Sequence, residues 1–108
     1  MAKTIPKAIK EEVTRRVEQF NQAELSSRNC SYVARFRGRF LYLDRCDHGR
    51  TGPVCRLAYG GDMNTWEFSI FKWSSEQYDP DEWMFPGSGE IDGTVEGAMK
   101  AGLAAYPV

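Results

Sequence analysis

The chain has 108 residues, of which 42% are hydrophobic and 27% charged, and its formal net charge is −1. A chain of this length is typical of one domain and buries about 65% of its unfolded surface, so we expect residues 1–108 to form a single domain with its own core. No apolar run reaches the ~18 residues that a membrane span needs, and the first residues lack the apolar region of a signal peptide, which predicts a cytoplasmic protein.

The first predicted element is a helix that begins near Thr4. The Thr4 hydroxyl can cap a helix, and Pro6 suits the first turn, where a backbone N–H has no partner to lose. Apolar residues then recur at helical spacing and predict one buried stripe: Ile9, Val13, Val17 and Phe20.

A period of two replaces the helical period in YVARFRGRFLYLDR, residues 32–45. The run predicts a hairpin that turns at Gly38–Arg39, because glycine at the first turn position supplies positive φ. This register puts Arg35 opposite Tyr42 and makes two faces. The predicted core face holds Tyr32, Ala34, Phe36, Leu41 and Leu43. The second face holds Val33, Arg35, Arg37, Phe40, Tyr42 and Asp44.

Two more strands and a second helix follow. The run VCRLAY predicts a third strand and WEFSIFKWS a fourth, with these side chains inward: Cys55, Leu57, Tyr59, Trp66, Phe68 and Ile70. The last helix begins after Thr94 or Asp92, either of which can cap it. Its sheet-facing side is predicted to hold Val95, Ala98, Met99, Gly102 and Leu103. The order α-β-β-β-β-α predicts a two-layer α+β fold, with a four-stranded antiparallel meander and a helix at each end.

The second face of the predicted sheet does not read as a solvated face, because arginine and aromatic residues alternate on it. Its candidate binding residues are Arg35, Arg37, Phe40, Tyr42, Arg56, Phe71 and Trp73, with Trp83 and Phe85 at the edge, and Val54 and Ala58 add apolar area. Three explanations stay open. A helix of the chain covers the face; a protein or a second copy packs on it; or the rings stack unpaired nucleic-acid bases while the arginines hold phosphates.

Charge is distributed unevenly along the chain. Residues 28–72 hold eight bases against four acids, whereas residues 73–108 hold one base, Lys100, against seven acids. Nucleic-acid binding usually requires a clearly basic domain. The sequence therefore favours protein contact or self-association without catalysis, and single-stranded nucleic acid is the alternative.

The stretch YDPDEWMFPGSGE, residues 78–90, combines acids and loop residues with three large apolar side chains. It must cross an end of the sheet between the last strand and the last helix. We expect Trp83, Met84 and Phe85 to close the open end of the core while the acids stay in water. The alternative is a loop that binds a partner.

Metal binding and catalysis find little support. An odd number of cysteines, three, predicts reduced thiols. Cys46, His48 and Cys55 are weak zinc candidates, because C-x-H-x6-C lacks the usual paired spacing. A cysteine–histidine nucleophile is not expected, because nothing near the cysteines resembles a catalytic setting that would lower a thiol pKa. The acidic residues of the 78–90 stretch do not have the spacing of a calcium-binding loop. The run GSGEIDG has glycines before a helix but no lysine that could bind a phosphate. We predict no metal, cofactor or catalytic residue; a small metal-dependent enzyme is the third class of function.

Three stretches, GRFLYLDR, CRLAYGGDMNTWEFSIFKWSSEQYDPDEW and GTVEGAMKAGLAAYP, resemble a small family of uncharacterised bacterial proteins over about residues 32–107. That resemblance implies no activity. The element order also resembles that of the double-stranded-RNA-binding domain, which holds phosphates with lysines at the start of its second helix. Glu90, Asp92 and Glu96 occupy that region here and one strand is extra, so the RNA-binding function is not transferred.

Overall fold

The computed structural model describes residues 4–82 and 84–107. Its two helices and five strands form an α+β fold in which consecutive strands pair antiparallel, in the order β1-β2-β3-β4-β5. The elements are α1 (Lys7–Phe20), β1 (Cys30–Arg37), β2 (Phe40–Asp47), β3 (Arg50–Ala58), β4 (Glu67–Lys72), β5 (Gln77–Asp79) and α2 (Val95–Ala105). The predicted class and meander are confirmed, and the predicted count of four strands is wrong.

The fifth strand lies in a segment whose sequence is typical of a loop. Tyr78 pairs with Phe71 and Asp79 with Ile70, and Glu76, with a φ of 53°, turns the chain between β4 and β5. Three residues are too few for an alternating pattern to show, and the last of them, Asp79, forms with Pro80 a pair that is typical of a turn.

The predicted hairpin register is confirmed pair by pair. Arg35 lies opposite Tyr42 and Phe36 opposite Leu41, and Gly38 has the positive φ, 60°, that the turn requires. Since this register decides which side chains share a face, it separates the predicted core residues from the arginines of β1.

A β-bulge between β2 and β3 corrects the predicted place of one residue. Leu43 pairs with Cys55 and Asp44 with Pro53, which leaves Val54 as an extra residue on β3. Val54 is consequently buried on the helix side, 3% exposed, and does not belong to the second face.

Helix α1 begins later than predicted. Pro6 is its N-cap residue, with no side-chain cap, so Thr4 does not cap it. Val13, Val17 and Phe20 are buried as expected. A π turn at Asn21–Leu25 prolongs the helix, and the Asn21 side chain fixes it to β1 through hydrogen bonds with the main-chain N–H and C=O of Tyr32, at 2.8 and 2.9 Å.

Helix α2 is capped as predicted, since the Thr94 hydroxyl accepts a hydrogen bond from the Gly97 N–H at 3.0 Å. A Cβ on Gly102 would meet the Tyr32 hydroxyl, and would lie 2.6 Å from Val54 Cγ1. The Tyr32 hydroxyl also donates to the Met99 carbonyl at 2.7 Å, and burial raises its pKa. The glycine therefore permits the close approach of α2 to the sheet.

Both helices pack on the same face of the sheet. The buried cluster joins residues of α1 and α2 to the inward residues of β1–β4. The explanation that a helix covers the second face is therefore wrong for residues 4–82 and 84–107. Over the same ranges, no helix has both the length and the apolar character to cross a membrane.

Candidate functional site

We call the sheet surface opposite the two helices the open face. The strand register gives it side chains from all five strands, including Val33, Arg35, Arg37, Phe40, Tyr42, Asp44, Arg56, Ala58, Glu67, Ser69, Phe71 and Tyr78. Six of the predicted binding residues lie together on it: Arg35, Arg37, Phe40, Tyr42, Arg56 and Phe71. The face is therefore a patch of guanidinium groups and rings on a rigid sheet.

Arg35 is bound within its own face. Its Nε donates to the Asp44 carboxylate at 3.1 Å, and its guanidinium carbon lies 4.5 Å from the centre of the Tyr42 ring. The Asp44 carboxylate is the main reason that the Arg35 pKa is raised. One positive charge of the face is thus neutralised in place.

Phe40 is the centre of a second arrangement, at the end of the hairpin. The guanidinium carbon of Arg56 lies 4.4 Å from the ring centre and that of Arg39 lies 5.3 Å from it. Arg37 is the cross-strand partner of Phe40 and is exposed. Among the residues that the structure describes, no carboxylate lies within 4.0 Å of these three arginines. Arg37 is exposed and the other two arginines are half-buried, so this end of the face carries three positive charges that no described carboxylate neutralises.

Tyr78 belongs to the site although the sequence analysis missed it. Its ring makes edge contacts with Tyr42 and Phe71, at centroid distances of 5.4 and 5.1 Å, and Arg56 lies 5.3 Å from its centre. Burial, and then the Asp44 carboxylate, raise the pKa of its hydroxyl. The signal that could have found it, the short run EQY before Asp-Pro, is too brief to separate from a loop.

Phe71 lies on the open face but is not available to a partner. Only 9% of it is exposed, because the rings of Trp73 and Tyr78 enclose it at centroid distances of 5.0 and 5.1 Å. Its place among the binding residues is therefore corrected. Neighbouring strands, rather than a helix, bury this part of the face.

Trp73 lies at the end of the sheet, beyond the last β3–β4 pair, Cys55 with Ile70. It is 55% exposed, and its ring packs over Gly52, where an added Cβ would lie 3.6 and 3.7 Å from two of the ring carbons. It also lines a cavity of about 600 Å³ with Tyr106, beyond the C-terminal end of α2. The ring therefore borders the open face only through Phe71, and its exposed side belongs to this cavity.

The predicted lid over the core is only partly formed by the residues named for it. Phe85 stacks on the core residue Phe68 at a centroid distance of 5.8 Å, so it is on the helix side and not at the edge of the open face. Met84 is 91% exposed and covers nothing. Trp83 lies outside the described residues.

The weak metal candidates do not converge. Cys55 is fully buried on the helix side, where desolvation raises its pKa, whereas Cys46 follows the buried Arg45 and points to the other face. His48 is exposed in the β2–β3 turn, with Nδ1 3.3 Å from the Asn29 amide nitrogen. Over residues 4–82 and 84–107 no three metal-binding side chains cluster. Cys46 and Cys55 lie on opposite faces of the sheet, so the two thiols cannot bind one ion together.

No family model, no curated protein and no solved structure matches this chain.

Proposed function

We propose that this chain is a non-catalytic binding module whose open face takes an acidic segment of a partner protein. The observation that carries the proposal is the pair of guanidiniums over Phe40, from Arg39 and Arg56, with the exposed Arg37 on the strand opposite, on a face that no described helix covers. Arginine beside aromatic residues is the composition of protein-interaction hot spots. Charge complementarity then calls for carboxylates on the partner.

Nucleic acid is the weaker candidate for the same face. Proteins that bind single strands offer free ring surfaces to the bases, but guanidinium groups already lie over Phe40 and Tyr42. Asp44 and Glu67 also place negative charge on the face. These carboxylates would repel a phosphate chain that runs across the face, whereas a short acidic segment can contact the arginines at the hairpin end alone.

A cytoplasmic location is part of the proposal. Cys30, Cys46 and Cys55 are all free, which is the usual state of thiols in a reducing compartment.

The direct test is binding of a fluorescein-labelled peptide of alternating Glu and Gly. We expect its affinity to fall as salt rises, because exposed charges form the contact. A Lys-Gly peptide of the same length and a single-stranded oligothymidylate serve as comparisons. Binding of the oligothymidylate alone would replace the proposal by its alternative.

Charge reversal localises the contact. Arg37→Glu with Arg56→Glu is expected to weaken the acidic peptide about tenfold or more, since both changes put repulsion on the open face. Arg28→Glu is the control, because Arg28 is exposed at the other end of β1 from the hairpin turn and should change the affinity less than about twofold. Equal weakening by both would contradict a localised site, and light scattering that gives the mass of two copies would make a second copy the partner.

A further inference from the structure

A small groove lies on the open face at the hairpin end of the sheet. Its volume is about 310 Å³, and the side chains that matter to its chemistry are Arg39, Phe40, Arg56, Glu67 and Ser69. Phe40 forms an apolar wall, the two arginines lie over its ring, and Ser69 is 6% exposed. The groove thus has one aromatic wall with two guanidinium groups beside it.

Arg39 carries the unusual feature of this groove. Its Nε is buried and has no hydrogen-bond partner among the described residues. The residue is fixed by its main chain, whose carbonyl accepts a hydrogen bond from the Tyr59 N–H at 2.9 Å. Buried polar groups in native proteins nearly always have a partner. An orphaned guanidinium donor beside an open groove is therefore explained if a ligand supplies the acceptor.

We infer that this groove receives one carboxylate, the side chain of an Asp or Glu in the acidic segment, an inference that rests on the proposed function. A guanidinium presents its N–H groups as a rigid fork that fits a carboxylate with two parallel hydrogen bonds. Turning of the Arg39 side chain toward such an anion would give its orphaned N–H an acceptor. Arg56, on the neighbouring strand, completes the positive end of the groove.

Glu67 decides between a carboxylate and a phosphate. It is exposed and lines the same groove, so its charge opposes any anion that enters. The two arginines and Glu67 together leave the groove one net positive charge; a carboxylate balances it, whereas a phosphorylated side chain carries nearly two negative charges and would leave an excess of negative charge in the groove. The groove therefore suits the singly charged group.

The experiment compares three peptides of equal length that differ at one central position: Glu, Gln or phosphoserine, each flanked by the same alternating Glu and Gly residues. Wild-type protein is expected to bind the Glu peptide about threefold or more tightly than the Gln peptide, because one charged contact is lost. It is also expected to prefer Glu to phosphoserine. Tighter binding of phosphoserine would overturn the assignment of a carboxylate.

Four variants then localise the subsite, with the Glu peptide as probe. Arg39→Gln and Arg56→Gln are each expected to weaken binding about fivefold, Glu67→Gln to strengthen it about twofold, and Arg28→Gln, at an exposed residue before the far end of β1, to change it less than about twofold. A fifth variant, Arg39→Lys, keeps the charge without the fork and should recover only part of the loss.

The outcomes separate this inference from the proposed function. Binding that falls equally in all three arginine-to-glutamine variants, or no preference for central Glu over Gln, would contradict the subsite while the open face still binds acidic peptides. Absence of binding by any acidic peptide to the wild type would overturn both. Circular dichroism of each variant confirms that the compared proteins are folded.

Discussion

The two faces of the sheet use arginine in opposite ways. On the helix side, Arg45 is 4% exposed and its donors are occupied: Nε donates to Asp47 at 2.8 Å, and the Nη atoms donate to the carbonyls of Gly102 and Tyr106 at the end of α2. On the open face, Arg37 is exposed, Arg39 and Arg56 are half-buried, and none of the three has a carboxylate partner in the described part of the chain. A cation at a helix C-terminus complements the helix dipole. Arg45 therefore has a structural role, whereas the charges of the open-face arginines are available to a binding partner.

The largest difference that we expect between the two faces is in the alkylation rates of their cysteines. Alkylation of Cys55 by iodoacetamide should be about a thousandfold slower or more than that of Cys46, because Cys55 is fully buried, its pKa is raised, and it reacts only after unfolding. Peptide mass mapping over time measures both rates in one sample. Comparable rates in the native protein would mean that the helix side opens freely, which contradicts the packing described above.

Substitution of the arginines gives the next largest contrast. Arg45→Met should lower the free energy of unfolding by about 2–3 kcal/mol, since it removes the Arg45 donor from the Asp47 carboxylate and the Tyr106 carbonyl, and leaves the Gly102 carbonyl with the Tyr106 N–H alone. Arg37→Met is the matched control on the open face, and should change the stability by no more than about 0.5 kcal/mol. Urea denaturation of both variants checks this, and an equal loss in the two would remove the distinction between the faces.

Two strand valines extend the same contrast to apolar residues. Val54→Ala should cost about 2 kcal/mol, because Val54 is 3% exposed and packs against Gly102 of α2. Val33→Ala, at a residue that is 46% exposed, should cost well under about 1 kcal/mol. Thermal unfolding compares them, and a larger loss at Val33 would indicate that something covers the open face.

Solvent-exposed ion pairs should contribute least to the free energy of unfolding. Arg15 and Arg16 lower the pKa of Glu12 to about 2, through hydrogen bonds at 2.6 to 2.9 Å. Because the folded pKa lies below the ordinary value of 4.5, the stabilisation is present above about pH 4.5 and is lost as the pH falls toward 2. Glu12→Gln should therefore be slightly less stable than wild type at pH 7, and equal to it near pH 2. A difference that persists at pH 2 would show that packing, rather than charge, holds Glu12.

The sequence was sufficient where a pattern extends over several residues. The period of two in the hairpin predicted the Arg35–Tyr42 register and hence both faces, and the helical stripe predicted the buried side of α1. It failed where geometry depends on one or two residues. The bulge that turns Val54 inward has no local signal, and β5 is too short for periodicity to reveal Tyr78.

The sequence predicted which residues lie on the open face, but not which of their side chains are exposed. Strand parity places Phe71 on the open face, yet the rings that enclose it come from Tyr78, which pairs from β5, and from Trp73 at the strand end. Arg39 belongs to the predicted turn, and its contact with Phe40 is a matter of side-chain packing. Contacts of this kind depend on tertiary structure, so residue spacing alone does not predict them.

The central claim is that the open face binds a partner while the helix side maintains the fold. The most direct measurement is a two-dimensional ¹H–¹⁵N spectrum of the labelled protein, titrated with the Glu-Gly peptide. The claim predicts shifts that saturate at the amides of Arg37, Phe40 and Arg56 and leave those of α1 and α2 unchanged. Shifts concentrated on α2 and around Trp73, with the hairpin amides unmoved, would place the binding site elsewhere and contradict it.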